Sequence, residues 1–306
     1  MNARPPDVAV QGVAGQAAGM QSVYRRRRIM SAIGWLICGL CFVLLAAALL
    51  DILFVVARGG AVALKPELFT TSTNGVSGGL LNAIEGTIVV TLGSVILAGP
   101  AGIGIGIYLS EFRDHKFSKV VRFVADVLVG VPSIVLGLFG YITMVVGLGW
   151  HFSALAGAIT LAIMITPYIT RTTELALRDV APSLRESAYA LGASEASVLG
   201  RVLLPACAGR VLTGILVSMA LSMGETAPLI YTVGWSNYVW QGQLTHAPMG
   251  YLTYVIWSFI NEPFESAHRL AFAAALLITF LAVGMTLGSR LLLRRFGNSG
   301  SAANIV

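Results

Sequence analysis

Six stretches of bilayer-spanning length run through this chain, at 31–57, 86–110, 127–150, 152–170, 211–234 and 270–289, and only Asp51 and Glu225 put a charge inside one. A transmembrane helix needs about 20 mostly apolar residues. In hydrocarbon every backbone N–H and C=O must be paired within the segment, so such stretches fold as helices. The composition agrees: 56% of the 306 residues are apolar and 11% charged, against about 25% charged in an ordinary soluble domain. The mean hydropathy is +0.81. The sequence therefore predicts an all-α polytopic membrane protein with six transmembrane helices. A further apolar run at 247–260 is too short to span and reads as an interfacial or re-entrant segment.

Lys and Arg set the orientation, because positive loops stay on the cytoplasmic side. With both termini inside, seventeen of the 20 basic residues fall in cytoplasmic segments, leaving Arg58, Lys65 and Arg269 outside. The net charge of +6 is thus a consequence of topology and needs no nucleic acid. Residues 1–30 are read as a disordered basic cytoplasmic tail and 297–306 as a short cytoplasmic tail. Arg25 to Arg28 followed by an apolar run has the outline of a signal peptide, but that run continues through Val55 and is too long for one.

Much chemistry is excluded. No Gly-Lys-Ser/Thr sequence exists for a P-loop, so any ATP use belongs to a partner. Gly102, Gly104 and Gly106 have the wrong spacing for a dinucleotide fingerprint and read as close helix packing. His115, His151, His246 and His268 are scattered, with no metal-ligand spacing. Cys38 and Cys41, one turn apart in an apolar run, read as small buried side chains rather than a redox pair. The G-x-S-G string at Gly297 to Gly300 has no following span to supply a base for a serine nucleophile.

Between the fourth and fifth spans lie about 40 residues, far more than a helix connection needs. Ser183-Leu184-Arg185-Glu186 has the form of a capping box. Gly192 is suited to a left-handed C-terminal stop, and Ser194 to capping a second short helix that carries Val198, Leu199, Val202, Leu203 and Leu204 up to Pro205. Two short helices around a glycine turn are suited to docking in a partner's groove.

The string Glu186-Ser187-Ala188, three residues, Gly192, nine residues, Val202-x-Leu204-Pro205 resembles the EAA loop of ABC-importer permeases, E-A-A-x3-G-x9-I-x-L-P. Over 81–296 the chain further resembles the PstA-type permeases of the phosphate-specific importer. The likenesses are Gly106-Ile107-Tyr108-Leu109-Ser110-Glu111, Gly130-Val131-Pro132-Ser133, Thr166-Pro167-Tyr168-Ile169 with Arg171-Thr172-Thr173-Glu174, and Gly224-Glu225-Thr226-Ala227-Pro228.

That resemblance implies a type I ABC-importer permease core with a coupling loop at 171–210, which seats on an ATPase through Glu186, Ser187, Ala188, Gly192, Leu204 and Pro205. It implies inorganic phosphate as substrate, with a sister permease (PstC-type), an ATPase dimer (PstB-type) and a phosphate-binding protein (PstS-type) as partners in the bacterial inner membrane. No cofactor is expected in this chain, ATP and Mg being bound by the ATPase. An importer of sulfate or molybdate, or an ATP-independent channel or secondary transporter, are the alternatives.

Glu225 is the one carboxylate deep in a central span, at a cost of roughly 2.5–3.5 kcal/mol by insertion scales. With Thr226 and Pro228 it is read either as part of a gate, paired with an arginine or carrying a proton, or as a structural hydrogen-bonding group within the bundle. Arg171, Glu174 and Arg178 share a helix face and are read either as a surface ion-pair ladder or, for Arg171 and Glu174, as part of the translocation path. Pro100, Pro132, Pro167 and Pro228 are expected to interrupt four successive spans.

Overall fold

The computed structural model describes the backbone of residues 7–301 and the side chains of 26–291. The chain is helical, with α1 over Asp7–Ala61, α2 over Pro66–Thr70, α3 over Leu81–Glu111 and α4 over Lys116–Gly130. Next come α5 (Ser133–Gly140), a π-helical turn (Tyr141–Gly147), α6 (Ala154–Arg178), α7 (Pro182–Ala190) and α8 (Glu195–Ser197). A second π-helical turn (Val198–Leu203) leads into α9 (Leu204–Met223), followed by α10 (Ala227–Thr232), α11 (Leu252–Phe259) and α12 (Glu265–Ser301). Among the described residues, five helical stretches are long and apolar enough to cross a membrane, or six if a bent pair is taken as one span.

The N-terminal segment differs from the expected disordered tail, since α1 is helical from Asp7 onward. Helix nucleation is the costly step, and an apolar span that is already helical supplies the nucleus from which an Ala- and Gln-rich flank can propagate. Residues 1–6 lie outside the description. Cys38 and Cys41 are exposed on α1, not buried. At the other end α12 runs through Gly297 to Ser301, so the expected tail is helical that far, and 302–306 lie outside the described residues.

The third span is not one helix. α4 and the α5 segment meet at 100° across Val131 and Pro132. Proline lacks an N–H and drives its predecessor out of the helical region, and Val131 is accordingly extended at φ −73°, ψ 127°. The fifth span is broken as well, between α9 and α10, because the Pro228 ring conflicts with the carbonyl of Gly224 four residues earlier. Pro100 and Pro167, expected to interrupt their spans, instead sit within continuous α3 and α6. These two helices pack along each other more extensively than any other pair, and such packing holds a helix across a proline.

The main core lies between α3 and α6 and is closed by residues of α5 and α10, with Val90, Leu161, Ile165, Ile169 and Leu229 at its centre. α3 and α6 touch through glycine. A Cβ on Gly102 would lie 2.8 Å from Ile169 Cβ, and one on Gly106 would lie 2.6 Å from Thr173 Cβ. Small residues at this spacing allow close backbone approach where lipid offers no hydrophobic drive. The two half-spans cross in the same manner, a Cβ on Gly137 of α5 falling 2.5 Å from Pro228 Cα. The short 247–260 run forms α11, which buries Leu252, Val255 and Phe259 against α12 and α3.

Candidate translocation and coupling site

The loop between α6 and α9 follows the predicted signals at Gly192 and Ser194. α7 ends in a Schellman motif: Gly192 takes φ +79°, its N–H donates to Tyr189 O (2.9 Å), and Ala193 N–H donates to Ala188 O (3.2 Å). Ser194 caps α8, its Oγ accepting from Ser197 N–H at 3.4 Å. The expected capping box at Ser183 is absent, since α7 begins one residue earlier at Pro182 with Ala181 as an N-cap that makes no side-chain bond. Proline at the first helical position has a preset φ and no N–H to orphan, and so fixes the start itself. The second short helix does not stop at Pro205 but continues through the π-helical turn into α9. The wider turn accommodates a proline that cannot donate to the helix.

Glu186 and Ser187 are exposed, Ala188 is buried, Leu204 is half-buried and Pro205 is exposed. Leu191 stands out from the turn at 88% exposure, with Leu184 and Tyr189 also exposed. Beneath, Ala188, Val198 and Leu203 pack with Ala176, Leu177, Cys207 and Val211 into a separate apolar cluster. The loop thus has an anchored underside and an outer face carrying both apolar and acidic groups.

Glu174 is no surface ladder residue. Its side chain is 1% exposed and three arginines converge on it. Arg122 Nε of α4 donates to Oε1 at 3.0 Å, Arg171 Nη1 donates to Oε2 at 3.1 Å, and Arg178 Nη2 lies 2.5 Å from Oε1. Arg122 also donates to Leu109 O (2.9 Å) and Arg113 O (3.2 Å), and so ties α3, α4 and α6 together. A buried carboxylate is tolerated when cations and hydrogen bonds replace its water. Arg171 is the outermost of the three at 60% exposure. With Arg122, Pro167, Tyr168 and Thr170 it lines a cavity of about 290 Å³. Thr170 Oγ1 is buried there with no hydrogen-bond partner.

Glu225 and Thr226 lie in the irregular break between α9 and α10, half-buried, while Pro228 is buried in α10. The expected arginine partner is not there: among the described residues no Lys or Arg forms an ion pair with Glu225. Its carbonyl accepts from Thr253 Oγ1 of α11 at 2.8 Å. The break is therefore held by α11 through the Glu225 carbonyl, and α10 packs on α5 where Gly137 approaches Pro228. Arg171 and Glu174 are brought together, whereas Glu225 belongs to a separate place.

Arg122 and Thr253 were not singled out in the sequence. Their partners lie 52 and 28 positions away, and helical spacing reports neighbours only three or four residues apart.

Residues 102–298 match the family described as binding-protein-dependent transport system inner membrane component. The chain is 42% identical over 269 residues to phosphate transport system permease protein PstA 2 of Mycobacterium bovis, covering 88% of this chain and 89% of the relative. It is 41% identical to phosphate transport system permease protein PstA of Yersinia pestis, covering 80% and 83%. A chain from the MetNI methionine ABC transporter, solved in inward-facing conformations, superposes with a TM-score of 0.60 at 17% identity over 71% of this chain and 95% of that one. This polytopic helical chain, with its anchored loop and broken spans, belongs to the binding-protein-dependent ABC-importer permeases of the inner membrane.

Proposed function

We propose that this chain is the PstA-type permease subunit of an ATP-driven importer of inorganic phosphate. The observation that carries the substrate is the 42% identity, over 88% of the chain, to a relative named for phosphate transport. In this reading the chain supplies half of a pore completed by a homologous PstC-type permease. A PstB-type ATPase dimer binds ATP and Mg, and a PstS-type protein delivers phosphate from outside. The positive residues put both termini in the cytoplasm.

The chain itself performs no covalent step. Its α7 to α8 loop, with Glu186 exposed and Gly192 setting the turn, presents the face on which the ATPase seats. Arg171 keeps donors free beside an open cavity, and a planar guanidinium matches the paired oxygens of phosphate. Glu174 neutralises part of the arginine charge, so the cluster can attract an anion without trapping it. Glu225 works at the opposite break, where rotation of two half-helices opens or closes the route.

The test is reconstitution of the chain with its sister permease, ATPase and binding protein in vesicles, followed by uptake of radiolabelled phosphate and sulfate. The reading requires ATP-dependent, phosphate-selective uptake. ATP-dependent uptake of sulfate or molybdate alone would keep the importer and remove the substrate. Flux without ATP would remove the importer.

A further inference from the structure

Arg185 and Glu111 form the most directional contact of the α7 loop with the membrane helices. Arg185 Nη1 donates to Glu111 Oε2 at 2.8 Å and Nη2 donates to Oε1 at 2.7 Å, a fork matched to a carboxylate across 74 residues of sequence. Both side chains are partly shielded, at 34% and 23% exposure. Glu111 is the last residue of α3 and Arg185 lies in the middle of α7.

The rest of the loop's footing is apolar. The cluster of Ala188, Val198, Leu203 and Cys207 touches α3 through Ile103 and Ile107, and such contacts are non-directional, so they permit sliding. A two-point fork does not. It fixes the direction of α7 against the end of α3. α3 is in turn seated on α6 through Gly102 and Gly106, and α6 carries Glu174 with its arginines. Neither Arg185 nor Glu111 lines the cavity beside Arg171.

We propose that the Arg185 to Glu111 fork is the rigid link through which movement of the ATPase-seated α7 is passed to the α3 and α6 pair. The inference rests on the importer reading for what moves α7. Arg185 and Glu111 are positioning residues, touching neither nucleotide nor transported solute.

The experiment uses the full complex in vesicles, with Arg185→Gln, Glu111→Gln and the exchange Arg185→Glu with Glu111→Arg. ATP hydrolysis and uptake are read together. A second readout needs no solute: spin labels at Ser183→Cys and Asp114→Cys, in a chain carrying Cys38→Ala and Cys41→Ala, report the distance between α7 and the end of α3 with and without ATP. The single variants are expected to hydrolyse ATP with uptake per ATP lowered about tenfold, inside the roughly 5–150-fold span of ordinary coupling between sites. The exchange should restore most of it. The interlabel distance should stay constant across nucleotide states in the parent chain and vary in the single variants. Unchanged uptake per ATP in both single variants would overturn the link. So would a parent distance that varies as much as in Arg185→Gln, or single variants that fail to assemble and are not restored by the exchange. Failure of the phosphate reading shows separately, as a parent complex that takes up another solute or none while the distance measurement still decides the link.

Discussion

Arg122 of α4 donates its Nε hydrogen to the buried Glu174 carboxylate of α6 at 3.0 Å, and the same guanidinium holds Leu109 O at the end of α3. One arginine therefore joins three helices around a carboxylate that Arg171 and Arg178 also approach. Removing a buried charge partner leaves the others uncompensated, which costs about 3–5 kcal/mol. Glu174→Gln is accordingly expected to lower the yield and thermal stability of the detergent-solubilised complex strongly, with Glu174→Asp intermediate. A thermal-shift series checks this, and a Glu174→Gln protein as stable as the parent would remove the structural role.

Arg171 gives the contrasting result. Its side chain is 60% exposed, and Glu174 keeps Arg122 and Arg178 when Arg171 is removed, so no buried charge is left bare. Arg171→Ala should melt close to the parent while phosphate uptake falls. Initial rates against phosphate concentration test it, and full uptake would take Arg171 off the path.

The α3 and α6 contact makes a prediction with its own control. A methyl on Gly106 meets Thr170 O at 2.7 Å and Thr173 Cβ at 2.6 Å, whereas one on Gly104 has nothing within 4 Å. Overpacking costs about 1–3 kcal/mol, so Gly106→Ala should destabilise the protein and Gly104→Ala should not. Melting curves of the two variants side by side decide it.

Gly192 has open space around it but φ +79°. A β-branched residue there costs about 1–3 kcal/mol of local strain, so Gly192→Val should unwind the Schellman turn without a clash. Membrane insertion should persist while uptake per ATP drops, and Gly192→Asn should retain more of it. Equal activity of Gly192→Val and the parent would show that the turn geometry does not matter for coupling.

At Glu225 no arginine arrives among the described residues, and the residue sits in a broken backbone whose carbonyl accepts from Thr253. Glu225→Gln keeps the size and the main-chain bond to Thr253 while removing the charge, so the complex should assemble normally. Uptake should change if the carboxylate gates the route, and unaltered uptake kinetics over phosphate concentration would leave Glu225 a structural strut.

The apolar windows, the basic loops and the Gly192 and Ser194 signals determined the class of fold, the span count to within one broken helix, and the helical loop, because each depends on burial or on backbone geometry within a few residues. Prolines were legible as features but not as outcomes. Pro132 and Pro228 end helices while Pro100 and Pro167 do not, and the difference lies in how neighbouring helices pack around them. The burial of Glu174, the arrival of Arg122 and the fork between Arg185 and Glu111 likewise belong to the tertiary structure. Charges 52 and 74 residues apart have no periodicity to betray them, and they meet only because α3, α4, α6 and α7 end at the same place.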